Sequence, residues 1–437
     1  MFRSDMSFEK IPGTDVRYAL IHFDAQGMER TDDPEGGVFS RSLVQNVADT
    51  KPSHVFLFSH GWQDDVPAAI DQYNRCIGAL WKLERDRRQF GALFRPLFIG
   101  LHWPSQPWGE EAIPPASLAP GAEDPLLRAA VEHFGGGDDV RASLQVIVEA
   151  YNEDPAAREV PEHVLAAYSD LAAAIGFSAG EGPDAPPDRD GVPLDPQAAV
   201  MAEQLVGAAD AFGVFGSIRN GLLAGLRQAS FWLMKHRART VGEQGMHRFV
   251  ADLQRAAPNA HVHLMGHSFG CIVVSSILGG PHGDGALPRP VHSAALVQGA
   301  LSLWAYADRI PDSDKPGYFR HVLQKQAVSG PIVTTQSIND KAVGLAFPAA
   351  VGLVGEVDFP VGPAVVLPKY GGIGTWGIQG TVIAESRPML DAHSEYKLRA
   401  GRIYNIDGSR FIPGHSGIDG PEVAHLQWQA VMVGEES

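Results

Sequence analysis

Five residues, Gly266-His267-Ser268-Phe269-Gly270, carry the sharpest chemical signal in this chain. A β-prone stretch, His261-Val262-His263-Leu264-Met265, leads into them. Small apolar residues compatible with a helix, Cys271 to Leu278, lead out. A G-x-S-x-G between a strand and a helix is the sequence form of a tight turn that lifts a serine hydroxyl above the end of a sheet, poised for nucleophilic attack. The serine backbone in such a turn is strained, and side chains two residues to either side would collide across it, hence the glycines. In a chain with 48 glycines the five letters alone are weak. It is the strand–turn–helix setting that distinguishes them from an ordinary glycine-rich loop.

A serine hydroxyl attacks only if a histidine takes its proton, a carboxylate orients that histidine, and donors receive the developing oxyanion. In serine sites of this strand–turn–helix kind, one donor is the N–H of the residue after the nucleophile, here Phe269, and the other comes from a loop after an earlier strand. His60-Gly61-Trp62 directly follows the apolar run His54 to Ser59. Trp62 is expected as the second donor, with Gly61 allowing the loop a close approach and His60 supporting it. The carboxylate is expected after a later strand. Asp340 follows the run Ile332 to Ser337 and fits; Asp308 is the alternative, and a turn or helix cap is the ordinary use of such an Asp. The histidine is expected after the last strand. With 17 histidines position has to decide. His415, in the Gly-flanked loop Pro413-Gly414-His415-Ser416-Gly417, is favoured over His425 inside a helical tail and His393 ahead of the strand.

The elements that must hold these residues are strands alternating with helices. Strands are predicted at Tyr18–Phe23, His54–Ser59, Leu97–Trp103, His261–Met265, Val291–Gln298, Ile332–Ser337 and Arg402–Ile406. Helices are predicted over Ala68–Gln89 and Phe231–Ala256, each with apolar residues at helical spacing, the second stopping at Pro258. This alternation predicts an α/β fold with a mostly parallel central sheet flanked by helices. Two segments break the rhythm. Residues 104–229 read as a helical insertion, with helix-prone stretches near 141–151, 161–175 and 196–226, and 345–400 as a second, Gly/Pro/Val-rich insertion. Both are read as excursions from one catalytic domain over 1–437.

Composition narrows the function classes. The net charge of −16 argues against nucleic acid, which needs a basic patch, and against docking on anionic lipid. Two cysteines, Cys76 and Cys271, make no disulfide framework, and Cys271 is read as a small buried apolar residue. No Cys/His cluster has metal spacing, and no metal or cofactor is expected. The first residues carry charges and no apolar leader core, and no apolar run is long enough to span a membrane, Leu345 to Leu367 being broken by Glu356, Asp358 and prolines. The chain is therefore read as soluble and cytoplasmic, without an integral membrane segment. The pattern specifies no oligomeric state.

Taken together, H-G-W at 60–62, G-H-S-F-G at 266–270, N-D-x-x-V at 339–343 and the late His415 resemble the α/β-hydrolase superfamily, its serine esterase/lipase-like branch. The resemblance covers about residues 17–105, 237–345 and 400–433 and includes the chain order Ser268…Asp340…His415. It implies an α/β-hydrolase fold and hydrolysis of a small-molecule ester, amide or thioester through an acyl-enzyme. The long stretch between Asp340 and His415, and an insertion placed before the serine, depart from the plain family pattern and shift substrate choice to the insertions. An acyltransferase on the same residues, and a non-catalytic binding protein that kept the fold, are the competing readings. A lipase-like lid from 196–234, using Phe212, Phe215, Leu222, Leu223, Phe231 and Trp232, competes with plain amphipathic packing.

Overall fold

The longest uninterrupted apolar runs become the centre of the sheet. The computed structural model describes residues 8–31, 38–61, 66–105, 124–154, 157, 159–175, 196–197, 221–311, 313, 315–346 and 367–435 of the 437. Its strands are β1 (Phe8–Lys10), β2 (Arg17–His22), β3 (His54–Ser59), β4 (Pro96–His102), β5 (His261–His267), β6 (Ser293–Val297), β7 (Ile332–Gln336), β8 (Ala384–Pro388) and β9 (Ile403–Asp407). They form one sheet in the order β1-β2-β4-β3-β5-β6-β7-β9-β8. Only the β1–β2 pair is antiparallel; the other neighbours run parallel. Both faces of such a sheet must be covered, so β3 and β6 are buried at every position.

On one face, Phe56, Phe58, Phe98, Met265 and Tyr404 pack with Tyr73, Ile77 and Leu80 of the helix Val66–Lys82 and with Leu426 and Trp428 of the helix Pro421–Glu435. The two helices are joined by the Trp428 indole N–H, which donates to Leu80 O at 3.0 Å. The helix Gly270–Gly279 and the helix His247–Ala256 contact each other on the opposite side, the first lying along β5, β3 and β6. All seven predicted strands are present within a few residues of their expected bounds. β1 and β8 were not anticipated: they are short, polar edge strands (FEK and AESRP), with no apolar alternation to read. The run Ala68–Gln89 is not one helix, because the chain turns at Leu83 and lets Asp86 point inward. The run Phe231–Ala256 consists of Ala224–Val241, a π-helical turn Gly242–Met246, and His247–Ala256.

The chain divides into two compact units, 1–105 with 237–343 and 371–437, and 106–236 with 344–370, where a single domain with two excursions was expected. The described part of the second unit is helical, with Pro125–Phe134, Asp138–Glu153 and Glu162–Ala174. The first of these starts at an Asp124 cap that accepts the Leu126 N–H at 2.7 Å. The second expected insertion is shorter than 345–400. Residues 371–400 belong to the sheet unit, where β8 pairs with β9. The apolar run at 345–367 and the lid positions Phe212 and Phe215 lie almost wholly or wholly outside the described residues; Leu222, Leu223, Phe231 and Trp232 are buried. Among the described residues, no helix is long and apolar enough to cross a membrane.

Near the starts of β3, β5 and β6, four imidazoles stack: His54 on His263 at 5.5 Å and His261 on His292 at 4.1 Å between centroids. Burial, reinforced by the neighbouring rings, lowers His54 to about 3 and His292 to about 4, while Arg289 adds positive charge beside His261 and His292. These rings are neutral when folded, so the unfolded chain binds protons that the folded chain refuses below the ordinary value of 6.5. Their contribution to stability is full above that pH and is lost as the pH falls. His54→Phe is expected to make the decline in unfolding free energy between about pH 6.5 and 4 shallower by about 1.4 kcal/mol per pH unit. Urea denaturation across that range measures it, and an unchanged slope would refute it.

Candidate active site

The parallel pairing brings the C-terminal ends of β3, β5, β6 and β7 side by side, with Ser59 opposite Gly266, Gly266 opposite Leu296, and Val297 opposite Thr335. At the end of β5 the chain reverses into the helix Gly270–Gly279 through Ser268, whose φ is +55°, a left-handed value that L-residues rarely adopt. The turn is tight enough to need both flanking glycines. A Cβ on Gly266 would sit 2.4 Å from Gly270 O, and one on Gly270 would sit 2.3 Å from Ser59 O. The Ser268 N–H donates to Val297 O at 3.2 Å and the Ser268 carbonyl accepts the Ala300 N–H at 3.1 Å, so the end of β6 braces the turn. Phe269 caps the helix N-terminus, which places its amide at the positive end of the helix dipole. Cys271, one turn on, is a buried thiol bonded to Gly266 O, and burial pushes its pKa up, so it remains an uncharged packing group.

Ser268, His415 and Asp340 are brought into one hydrogen-bonded chain. His415 Nε2 lies 2.8 Å from Ser268 Oγ, and His415 Nδ1 lies 2.9 Å from Asp340 Oδ2. A neutral imidazole with its proton on Nδ1 satisfies both, donating to the carboxylate and accepting from the hydroxyl. Asp340 is fully buried, yet each of its oxygens is occupied. Oδ1 accepts the Val343 N–H at 2.9 Å, and Oδ2 also accepts the Gln298 side-chain amide at 2.8 Å. The loops carrying Asp340 and His415 are latched together. Asn339 Nδ2 donates to Ser409 O at 2.8 Å and to Ile412 O at 3.1 Å, and the Ser337 hydroxyl donates to Ile412 O at 2.9 Å.

His267 ties the serine turn to His415. Its Nε2–H donates to the His415 carbonyl at 3.0 Å while its Nδ1 accepts from Gln72 Nε2 at 3.0 Å. Burial, then the adjacent His415, lowers His267 to about 3, which keeps it a neutral bridge. His60 is likewise buried and shifted well below its ordinary value, first by burial and then by His102. It stacks on Trp103, accepts the Trp103 N–H at 3.2 Å and donates to Gly61 O at 2.9 Å, which sets the course of the loop leaving β3. Gly61 lies against the serine itself, since a Cβ there would be 2.8 Å from Ser268 Cβ. Trp62 lies outside the described residues.

The side chains of two competing candidates, Asp308 and His425, are held by other partners. Asp308 pairs with Arg320 at 2.5 Å. His425 is buried between Asp86, at 2.8 Å, and Ser394 O, at 2.6 Å, as a packing group. His393 is joined through its carbonyl to Arg85. Gln72 and Gln298 were missed from the sequence and had no local signal; Asn339 was read only as part of the N-D-x-x-V motif, without its role as a latch. Among the described residues no group of three or more His, Cys, Asp or Glu could hold a metal ion. No family model matches the chain, and no curated protein or solved structure matches it either. Gly61→Ala is expected to lower stability by about 1–3 kcal/mol through overpacking against Ser268. Denaturant unfolding reads this, and wild-type stability in the variant would mean that the loop does not need its close approach.

Proposed function

We propose that this chain is a serine hydrolase of the α/β-hydrolase type, acting on a carboxylic ester or related acyl bond of a small molecule. The observation that supports it best is the hydrogen-bonded chain Ser268–His415–Asp340 built on a left-handed serine at the end of a parallel strand. Its members come in the chain order serine, acid, histidine, and each follows a strand of the sheet.

In this reading Ser268 Oγ attacks the acyl carbon as its proton passes to His415 Nε2. The C–O bond to the leaving group breaks, and the departing oxygen takes that proton from Nε2. Water then enters by the same route: His415 removes its proton, the new hydroxyl bonds to the acyl carbon, and Ser268 leaves with the proton returned. Asp340 stays ionised, holds the Nδ1–H tautomer and stabilises the imidazolium that forms twice per cycle. The oxyanion is received by the Phe269 N–H; Trp62, expected from the sequence as the second donor, lies outside the described residues.

A fluorophosphonate probe is expected to label the wild-type protein and to leave Ser268→Ala unlabelled. Asp340→Asn is expected to slow hydrolysis of short p-nitrophenyl esters by about 10³–10⁴-fold, because it favours the wrong tautomer of His415. A folded wild type that neither labels nor hydrolyses would overturn the proposal.

A further inference from the structure

We propose that Gln298 is the positioning residue for the acid: its side-chain amide holds Asp340 Oδ2 on His415 Nδ1. This rests on the serine-hydrolase reading above.

Gln298 is fully buried, and its amide has one allowed orientation. Nε2 donates to Asp340 Oδ2 at 2.8 Å and to Gly374 O at 3.1 Å, using both of its hydrogens. Oε1 accepts the Thr335 hydroxyl at 2.9 Å, and the same hydroxyl oxygen accepts the Gln298 backbone N–H at 2.9 Å. The backbone N–H thus fixes the Thr335 hydroxyl, whose proton fixes the amide. Flipping the amide would set Oε1 against a carboxylate and a carbonyl. The backbone adds a second sign. Gln298 has a φ of +46°, a left-handed value, directly after the strand whose last residue, Val297, accepts the Ser268 N–H. Two non-glycine residues in this conformation, Ser268 and Gln298, are thus joined through one strand end. Strain of this kind persists where the surroundings over-determine it, and it concentrates at working sites.

The arrangement has a chemical consequence. Oδ2 faces the base, and its second donor is Gln298. While His415 carries the proton, that donor keeps the negative charge on the carboxylate and keeps the oxygen aimed at Nδ1. His267 faces His415 at 4.9 Å between ring centroids, and the charge of Arg75, itself paired with Asp419 at 3.2 Å, reaches His267.

Three variants test this: Gln298→Glu, which keeps the shape; Gln298→Met, which keeps length and removes the donor; and Thr335→Val, which removes only the hydroxyl that orients the amide. The His415 Nδ1–H resonance is read by NMR on histidine-¹⁵N-labelled protein, without turnover, and kcat and KM are read on p-nitrophenyl esters. In Gln298→Glu the two buried carboxyl groups share one proton, so the acid at 298 still donates to Asp340 Oδ2 and kcat is expected within a few-fold of wild type. Gln298→Met is expected to lower kcat about tenfold with KM unchanged and to move the His415 Nδ1–H resonance. Thr335→Val is expected to give a smaller loss in the same sense, and it carries the test if the methionine variant does not fold. Wild-type kcat in folded Gln298→Met would overturn the assignment, as would an unmoved Nδ1–H resonance in that variant. A wild type inert to probe and ester would strike at the hydrolase reading instead, while the His415 Nδ1–H resonance would still decide the role of Gln298.

Discussion

A carboxyl group buried without solvent is the constraint around which this site is arranged. Asp340 has no exposed surface, so its carboxylate survives as an ion only if protein donors replace the lost water. It obtains them from its own turn, at Val343, and from two places distant in sequence, Gln298 at the end of β6 and His415 in the loop after β9. Each donor has to be placed by a different strand end. The parallel register that brings those ends together is therefore a requirement of the charge as much as of the core.

The serine turn is governed by space. The backbone reverses so sharply that atoms of residues 266 and 270 nearly touch, and the loop at Gly61 closes onto the same point. Around this crowding stand neutral imidazoles, His60 and His267, which offer one donor and one acceptor each without adding charge. A lysine or arginine in either place would offer donors only, and at 267 it would bring a cation beside His415.

What was legible in the sequence follows from how each signal is encoded. The strands that carry the site are buried on both faces, so they appear as unbroken apolar runs such as HVFLFS. The serine turn shows because sterics leave few choices at 266, 268 and 270. Asp340 and His415 were found by their places after strands, a topological signal. β8 escaped because an edge strand half in solvent needs no apolar pattern. Gln298 and Gln72 escaped because an amide fits almost anywhere, and what marks these two is a partner 42 and 195 residues away. The extent of the second insertion was misjudged for a related reason. Its return to the sheet is made by glycines and main-chain bonds around 372–377, which resemble loop in one dimension.

That return has a consequence for how this chain tolerates change. Between acid and base the backbone departs at 344 and is secured again at Gly374, whose N–H donates to Gly299 O and whose carbonyl accepts the Ser337 N–H. Both ends of the detour are thus anchored in the same few ångströms of sheet edge. Length added or removed between those anchors need not be transmitted to the acid or the base. The strand end that carries Asp340 is therefore held by main-chain bonds of Gly374 and not by the length of chain that runs on to His415.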